Sequence, residues 1–194
     1  MAMHHVVIYV PGLGDHRTRG QQLAVSLWRF FGVQSEVFHM RWLQHEPFEA
    51  KLRPLLARID ALSEQGRTVS LVGVSAGGGA VINAYALRQD VIHRVVCVCG
   101  KLTNPQTVHP RVYEKNPGFA ESMEMLPSSI VSLSKENLSR VRSIRALADE
   151  SVPPKDTIIE GTEGFTLPTM GHVITIGLAI TIFSSAIIGF IKRP

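Results

Sequence analysis

Cysteine is nearly missing from this chain: Cys97 and Cys99 are the only two in 194 residues. Two apart on one expected strand, they are predicted to face the same way, too far apart for an easy disulfide. No group of Cys and His has the spacing of a metal site. Long runs of one charge are also missing. The net charge is +4 and the pI about 9.3, but Lys and Arg are scattered. With no stripe of interleaved aromatic and basic residues, a nucleic-acid partner is not expected. The N-terminus has neither a charged n-region nor an apolar h-region with a cleavage site, so no signal peptide is read and the cytoplasm is the expected compartment. Internal repeats and low-complexity tracts are absent.

What the chain does have is Gly73-Val74-Ser75-Ala76-Gly77 between two well-marked elements. Before it, residues 68–72 read as a buried strand. After it, residues 78–87 read as a helix with small residues in its first turn. A serine on a sharp strand-to-helix turn projects its hydroxyl clear of the backbone, and flanking glycines permit the turn. The helix N-terminus adds free N–H groups and a field that favours a developing oxyanion.

Three further features fall in a consistent order. The apolar run 4–10 ends in Pro11-Gly12-Leu13-Gly14-Asp15, a loop able to bring the Leu13 N–H close to a substrate carbonyl opposite that of Ala76. His16 and Arg17, which follow at once, read as a solvated loop. Asp149 ends a run at 141–148, where a carboxylate would point into the ligand crevice of an open α/β sheet. Glu150 and Asp156 compete for that role, but Asp156 reads as the N-cap or first turn of a short helix at 157–160. His172 follows Gly171 just before the last helical segment and supplies a pKa suited to general base and acid work. The other seven histidines, among them His4, His5, His39, His93 and His109, read as surface or core residues.

On these motifs, the chain resembles the α/β-hydrolase family over nearly its whole length, from about residue 5 to the final helix. The resemblance implies Ser75 as nucleophile, His172 as general base and acid, and Asp149 as orienting carboxylate. Leu13 and Ala76 would form the oxyanion hole through their backbone N–H groups. It implies no cofactor, no metal and a small-molecule acyl substrate. Two departures stand out: Val74 and Pro11 occupy positions where many members carry His, and Pro11 removes a bond that could brace the loop.

Strands are expected at 4–10, 36–41, 69–74, 93–99, 141–148 and 165–169, and helices at 21–31, 46–62 and 77–89. This alternation indicates an α/β fold, a three-layer α/β/α sandwich on a mostly parallel sheet of about six strands. A single domain, 1–194, leaves no room for the extra N-terminal hairpin of larger relatives, so a minimal α/β-hydrolase fold is expected. Leu52, Leu55, Leu56, Ile59 and Leu62 recur at helical spacing, with Lys51, Arg53, Arg58 and Asp60 facing away. Pro54 reads as a start or kink. Leu23, Leu27, Phe30 and Phe31 mark the buried side of the first helix, and Trp28, Phe38 and Trp42 read as core before pocket.

Residues 101–140 are open to two readings, a small cap over the site or an ordinary excursion on the sheet edge. As a cap, a short helix at 118–126, broken by Pro127, would line the pocket with Phe119, Met123, Met125 and Leu126. Residues 173–191 carry no charge. As one helix they would span ~28 Å. The favoured reading packs this helix on the domain, with remaining apolar surface for a dimer partner; membrane association and a spanning anchor are the alternatives.

The function expected is serine hydrolysis of a carboxylic ester or thioester through an acyl-enzyme. The alternatives are a dormant binding or membrane-associated module on the same fold, and an acyltransferase using the same three residues.

Overall fold

The computed structural model describes residues 5–194; His4 lies outside the described residues. Six strands form one sheet: β1 (His5–Val10), β2 (Gln34–Val37), β3 (Thr68–Val74), β4 (Ile92–Val98), β5 (Val141–Arg145) and β6 (Glu163–Thr166). Their order is β2-β1-β3-β4-β5-β6, and every neighbouring pair runs parallel. Parallel neighbours need crossovers, and helices supply them on both faces. The α/β/α sandwich expected from the alternation is therefore present.

One face of the sheet carries α2 (Phe48–Glu64), α3 (Ala76–Leu87) and α5 (Pro117–Val131). They pack Leu55, Ile59, Val81, Ile82, Phe119 and Met123 against Ile8, Leu71 and Val95. The other face carries α1 (Arg19–Ser26), the 3-10 turn Leu27–Phe31, α7 (His172–Ile180) and α8 (Ser184–Ile191). Trp28, Ile176, Ile187 and Phe190 there cover Val7, Tyr9, Val72 and Val96. Side chains alternate across each strand, so one apolar run feeds both cores. Two short helices, α4 (Pro110–Lys115) and α6 (Lys135–Ser139), complete the fold.

Several local expectations are overturned. Pro54 lies inside α2 and Pro127 inside α5. Each proline costs about 3 kcal/mol in a helix interior. Burial of Leu52, Leu55, Ile59 and Leu62 along α2, and of Phe119, Met123 and Leu126 along α5, outweighs that local penalty. Lys51, expected outside, is buried because its ammonium donates to the Arg41 carbonyl at 2.8 Å. The strand expected at 36–41 stops at Val37, and His39 instead bonds the Asp15 carbonyl at 2.6 Å.

Two larger corrections concern the apolar segments. Leu23, Leu27, Phe30 and Phe31 are exposed, and the first helix docks through Val25 and Trp28. The 173–191 stretch is two helices bent by 57° at a break of a few residues. Both halves are buried on the domain: Ile176, Ala179 and Ile180 from α7, and Ile187, Ile188, Phe190 and Ile191 from α8. No single helix among the described residues is long and apolar enough to cross a membrane.

Candidate active site

The site assembles at the carboxyl edge of the sheet, where parallel strands hand over to helices. Ser75 leaves β3 with φ 54° and ψ −124°, a conformation that non-glycine residues rarely adopt. Its neighbours over-determine the strain. The Ser75 N–H donates to the Val98 carbonyl at 3.1 Å, and its own carbonyl accepts from Gly78 N–H at 3.0 Å and Lys101 N–H at 3.2 Å. Glycine is required on either side. A Cβ on Gly73 would lie 2.4 Å from the Gly77 carbonyl oxygen, and one on Gly77 would lie 2.2 Å from that of Val10.

Asp149 and His172 are delivered together by a discontinuous pairing beyond β5 and β6. The strand expected to reach 148 ends at Arg145, but Leu147 N–H donates to the Thr169 carbonyl and Gly171 N–H to that of Ala148. An isolated bridge joins Ala148 to Met170. The acid follows one side of this bridge and the base follows the other. His172 Nδ1 and an Asp149 carboxylate oxygen are 2.7 Å apart, and His172 Nε2 is 2.9 Å from Ser75 Oγ. The second Asp149 oxygen accepts the Ser151 and Val152 N–H groups, both at 2.8 Å. Such a chain can withdraw a proton from the hydroxyl and hold the imidazolium that results.

Both competing carboxylates are accounted for. Glu150 accepts the His172 backbone N–H at 3.1 and 3.2 Å, satisfying a donor at the start of α7. Asp156 does lie in the first turn of a short helix, but a 3-10 one at Pro154–Thr157 rather than at 157–160, and it is fully buried with Lys101 Nζ at 2.6 Å. Burial pushes its pKa up, but hydrogen bonds from Lys101, Asn104 and Thr107 more than offset this and hold it below the ordinary carboxylate value. The Leu102 and Thr103 N–H groups donate to its main-chain carbonyl. This knot ties the chain after β4 to the chain after β5.

Leu13 and Ala76 line the same cleft as Ser75. The loop that carries Leu13 is braced from 39–42: Trp42 Nε1 donates to the Pro11 carbonyl at 3.2 Å, and Arg41 N–H donates to the Asp15 carboxylate at 2.5 Å. Trp42 thus supplies a brace that the Pro11 departure removes. The cleft holds about 400 Å³, with Val108, Val112, Phe119 and Val152 as apolar wall and Lys101, Thr107, His109 and Glu150 as polar lining. Of the residues expected to line a cap pocket, only Phe119 does so. Met123 and Leu126 are core, and Met125 lines a separate groove between α2 and α5. Residues 101–119 border the cleft, whereas α5 packs on α3 and α2.

Cys99 was not expected near the acid. The strand ends at Val98 and Cys99 takes a left-handed φ of 46°, which turns it into the opposite core from Cys97. Its thiol lies beside Asp149; burial and then the Asp149 charge push its pKa up to about 12. Ligand atoms of Cys99, Asp149 and His172 lie within 4.8 Å of one another, a grouping that a cation could use. Only the positive φ separates this residue from an ordinary strand position, and no sequence pattern announced it.

No family model matches the chain, and no curated protein matches its sequence. Solved structures do match. An enzyme of the LipS and LipT pair, metagenome-derived lipolytic enzymes, superposes with TM-score 0.66 at 13% identity, over 98% of this chain and 94% of that one. Est1E from Butyrivibrio proteoclasticus gives 0.65 at 16% identity, over 95% and 88%. A monoacylglycerol lipase from Paleococcus ferrophilus gives 0.60 at 18% identity, over 96% and 93%. With its all-parallel six-stranded sheet and these neighbours, the chain has the α/β-hydrolase fold.

Proposed function

We propose that the protein is a serine hydrolase that cleaves a carboxylic ester or thioester of a small acyl substrate. The carrying observation is the continuous chain from Ser75 Oγ through His172 to Asp149, at 2.9 and 2.7 Å. Ser75 attacks the substrate carbonyl carbon, and its proton passes to His172 Nε2. Asp149 keeps the Nδ1 proton in place and stabilises the imidazolium. The Leu13 and Ala76 N–H groups receive the oxyanion, one from a braced loop and one from the first turn of α3. His172 then returns the proton to the departing alcohol or thiol, leaving Ser75 acylated. Water, deprotonated by the same imidazole, attacks the acyl carbon; the acid leaves and Ser75 regains its proton.

A cleft of about 400 Å³ sits at the low end of small-molecule sites and favours a short or compact acyl or alcohol group. Esterases and lipases among the structural neighbours support the reaction class. The test is labelling with a fluorophosphonate, followed by p-nitrophenyl esters of increasing chain length. Wild type should label and hydrolyse short esters, while Ser75→Ala should do neither. Folded protein that refuses the label would overturn the reading and favour a dormant module.

A further inference from the structure

Seven of the thirteen large hydrophobic side chains exposed among the described residues fall on two neighbouring segments. Leu23, Leu27, Phe30 and Phe31 come from α1 and its 3-10 extension, with Phe30 73% exposed. Val173, Ile174 and Ile182 come from α7 and the break after it, with Val173 77% exposed. The two segments lie side by side. Trp28 Nε1 donates to the Ile180 carbonyl at 3.0 Å, and Lys192 Nζ to the Phe31 carbonyl at 3.2 Å. Between α1 and α7 runs a groove of about 310 Å³ whose walls include Ala24, Val173, Gly177 and Ile180.

The two segments themselves carry charge of one sign, with the exposed Glu150 carboxylate beside the start of α7, where it accepts the His172 N–H. Segments 16–33 and 170–194 contain no Asp or Glu, yet they carry Arg17, Arg19, Arg29, Lys192 and Arg193. Arg193 is paired with Glu163. Arg17, Arg19, Arg29 and Lys192 form no ion pair among the described residues. Arg29 stacks over the Phe30 ring at 5.0 Å, so that its charge sits beside exposed aromatic surface. Arg17 lies at one end of the groove.

We infer that this face docks on an anionic lipid surface, with α1 and α7 lying in the interface. Exposed aromatic and aliphatic residues would enter the acyl boundary while unpaired cations meet acidic headgroups. A second copy of the chain fits the charge poorly. A two-fold contact would set this face against itself, cation against cation, with no carboxylate on either segment to compensate. Spanning is also not the arrangement, because the inner sides of α7 and α8 are consumed by the core. Val173 and Ile174 follow His172 directly at the start of α7.

The test is sedimentation of the full-length protein with vesicles of equal parts phosphatidylcholine and phosphatidylglycerol, beside vesicles of phosphatidylcholine alone. Expected is partitioning to the anionic vesicles that weakens as salt is raised. Two variants from separate segments, Phe30→Ser/Phe31→Ser and Ile174→Ser/Ile182→Ser, should each lower it about tenfold or more. Arg17→Glu/Arg29→Glu should do the same through charge alone. Near-ultraviolet circular dichroism unchanged from wild type keeps the comparison to folded protein. Equal binding to both vesicle types, or variants that bind as wild type does, would overturn the inference. So would concentration-dependent dimerisation lost in these variants without vesicle binding, which would assign the face to a second copy. Sedimentation does not depend on hydrolysis, so this outcome is separate from the fate of the Ser75 mechanism.

Discussion

The two helical layers each lend one arm to the same hydrogen-bonded chain, Ser75 from the start of α3 and His172 from the start of α7, but their outer surfaces differ. Around α2, charges are paired: Glu49 with Arg53, Glu36 with Arg58, and Asp60 with Arg88. On the α1 and α7 side the outer surface is apolar and its unpaired charges are cationic. The inward faces of both layers are equally well buried. Burial against the sheet therefore does not explain the contrast. The first surface is finished toward water, and the second is the face inferred above to dock on an anionic lipid surface.

The largest expected effect falls on the join between the layers. His172→Ala and Asp149→Asn leave both layers packed but should lower kcat/KM by about 10⁴-fold or more, measured on whichever p-nitrophenyl ester the wild type prefers. Next comes the close approach of α3 to β1. Gly77→Ala would force a Cβ to 2.2 Å from the Val10 carbonyl oxygen. Urea unfolding should report a loss of about 3 kcal/mol or more.

The buried Lys101–Asp156 knot tests paired charge inside the first layer against paired charge on its surface. Asp156→Ala leaves a buried ammonium without its partner and should cost about 3–5 kcal/mol. Glu49→Gln, which breaks an exposed pair, should change stability by less than about 1 kcal/mol. Acid sharpens the same contrast. The Asp156 carboxyl is held below its ordinary value of 3.8, so its contribution is present above that pH and is lost as pH falls through the lower folded value. A separate pH effect belongs to His5, whose pKa is lowered to about 4 by burial and then by His93 and Lys192. The unfolded chain takes up this proton first, so stability should fall as pH drops from 6.5 to about 4. In His5→Asn that part of the slope should disappear from thermal melts.

Much of the site was legible because its chemistry is local. The Ser75 turn is fixed by glycines within two residues, Asp149 stands at the end of an expected strand, and His172 follows Gly171 just before the last helical segment. Other features were not local. Leu23, Leu27, Phe30 and Phe31 have the spacing of a buried helix face, yet Val25 and Trp28 make the contact, since hydrophobicity alone does not say which apolar side meets protein. The bend after Ile180 has no signal in the uniform apolar run 173–191. Lys51 and Lys101 are buried only because carbonyls and a carboxylate distant in sequence reach them. The prolines inside α2 and α5 show the same rule, with tertiary burial overriding a local penalty.

The central claim is that Ser75 is an activated nucleophile. Mass spectrometry of the intact protein after fluorophosphonate treatment tests it most directly, with peptide mapping of the adduct. One adduct is expected, on Ser75, absent from Ser75→Ala and strongly slowed in His172→Ala. Folded wild-type protein with no adduct, or with one carried equally by Ser75→Ala, would contradict it.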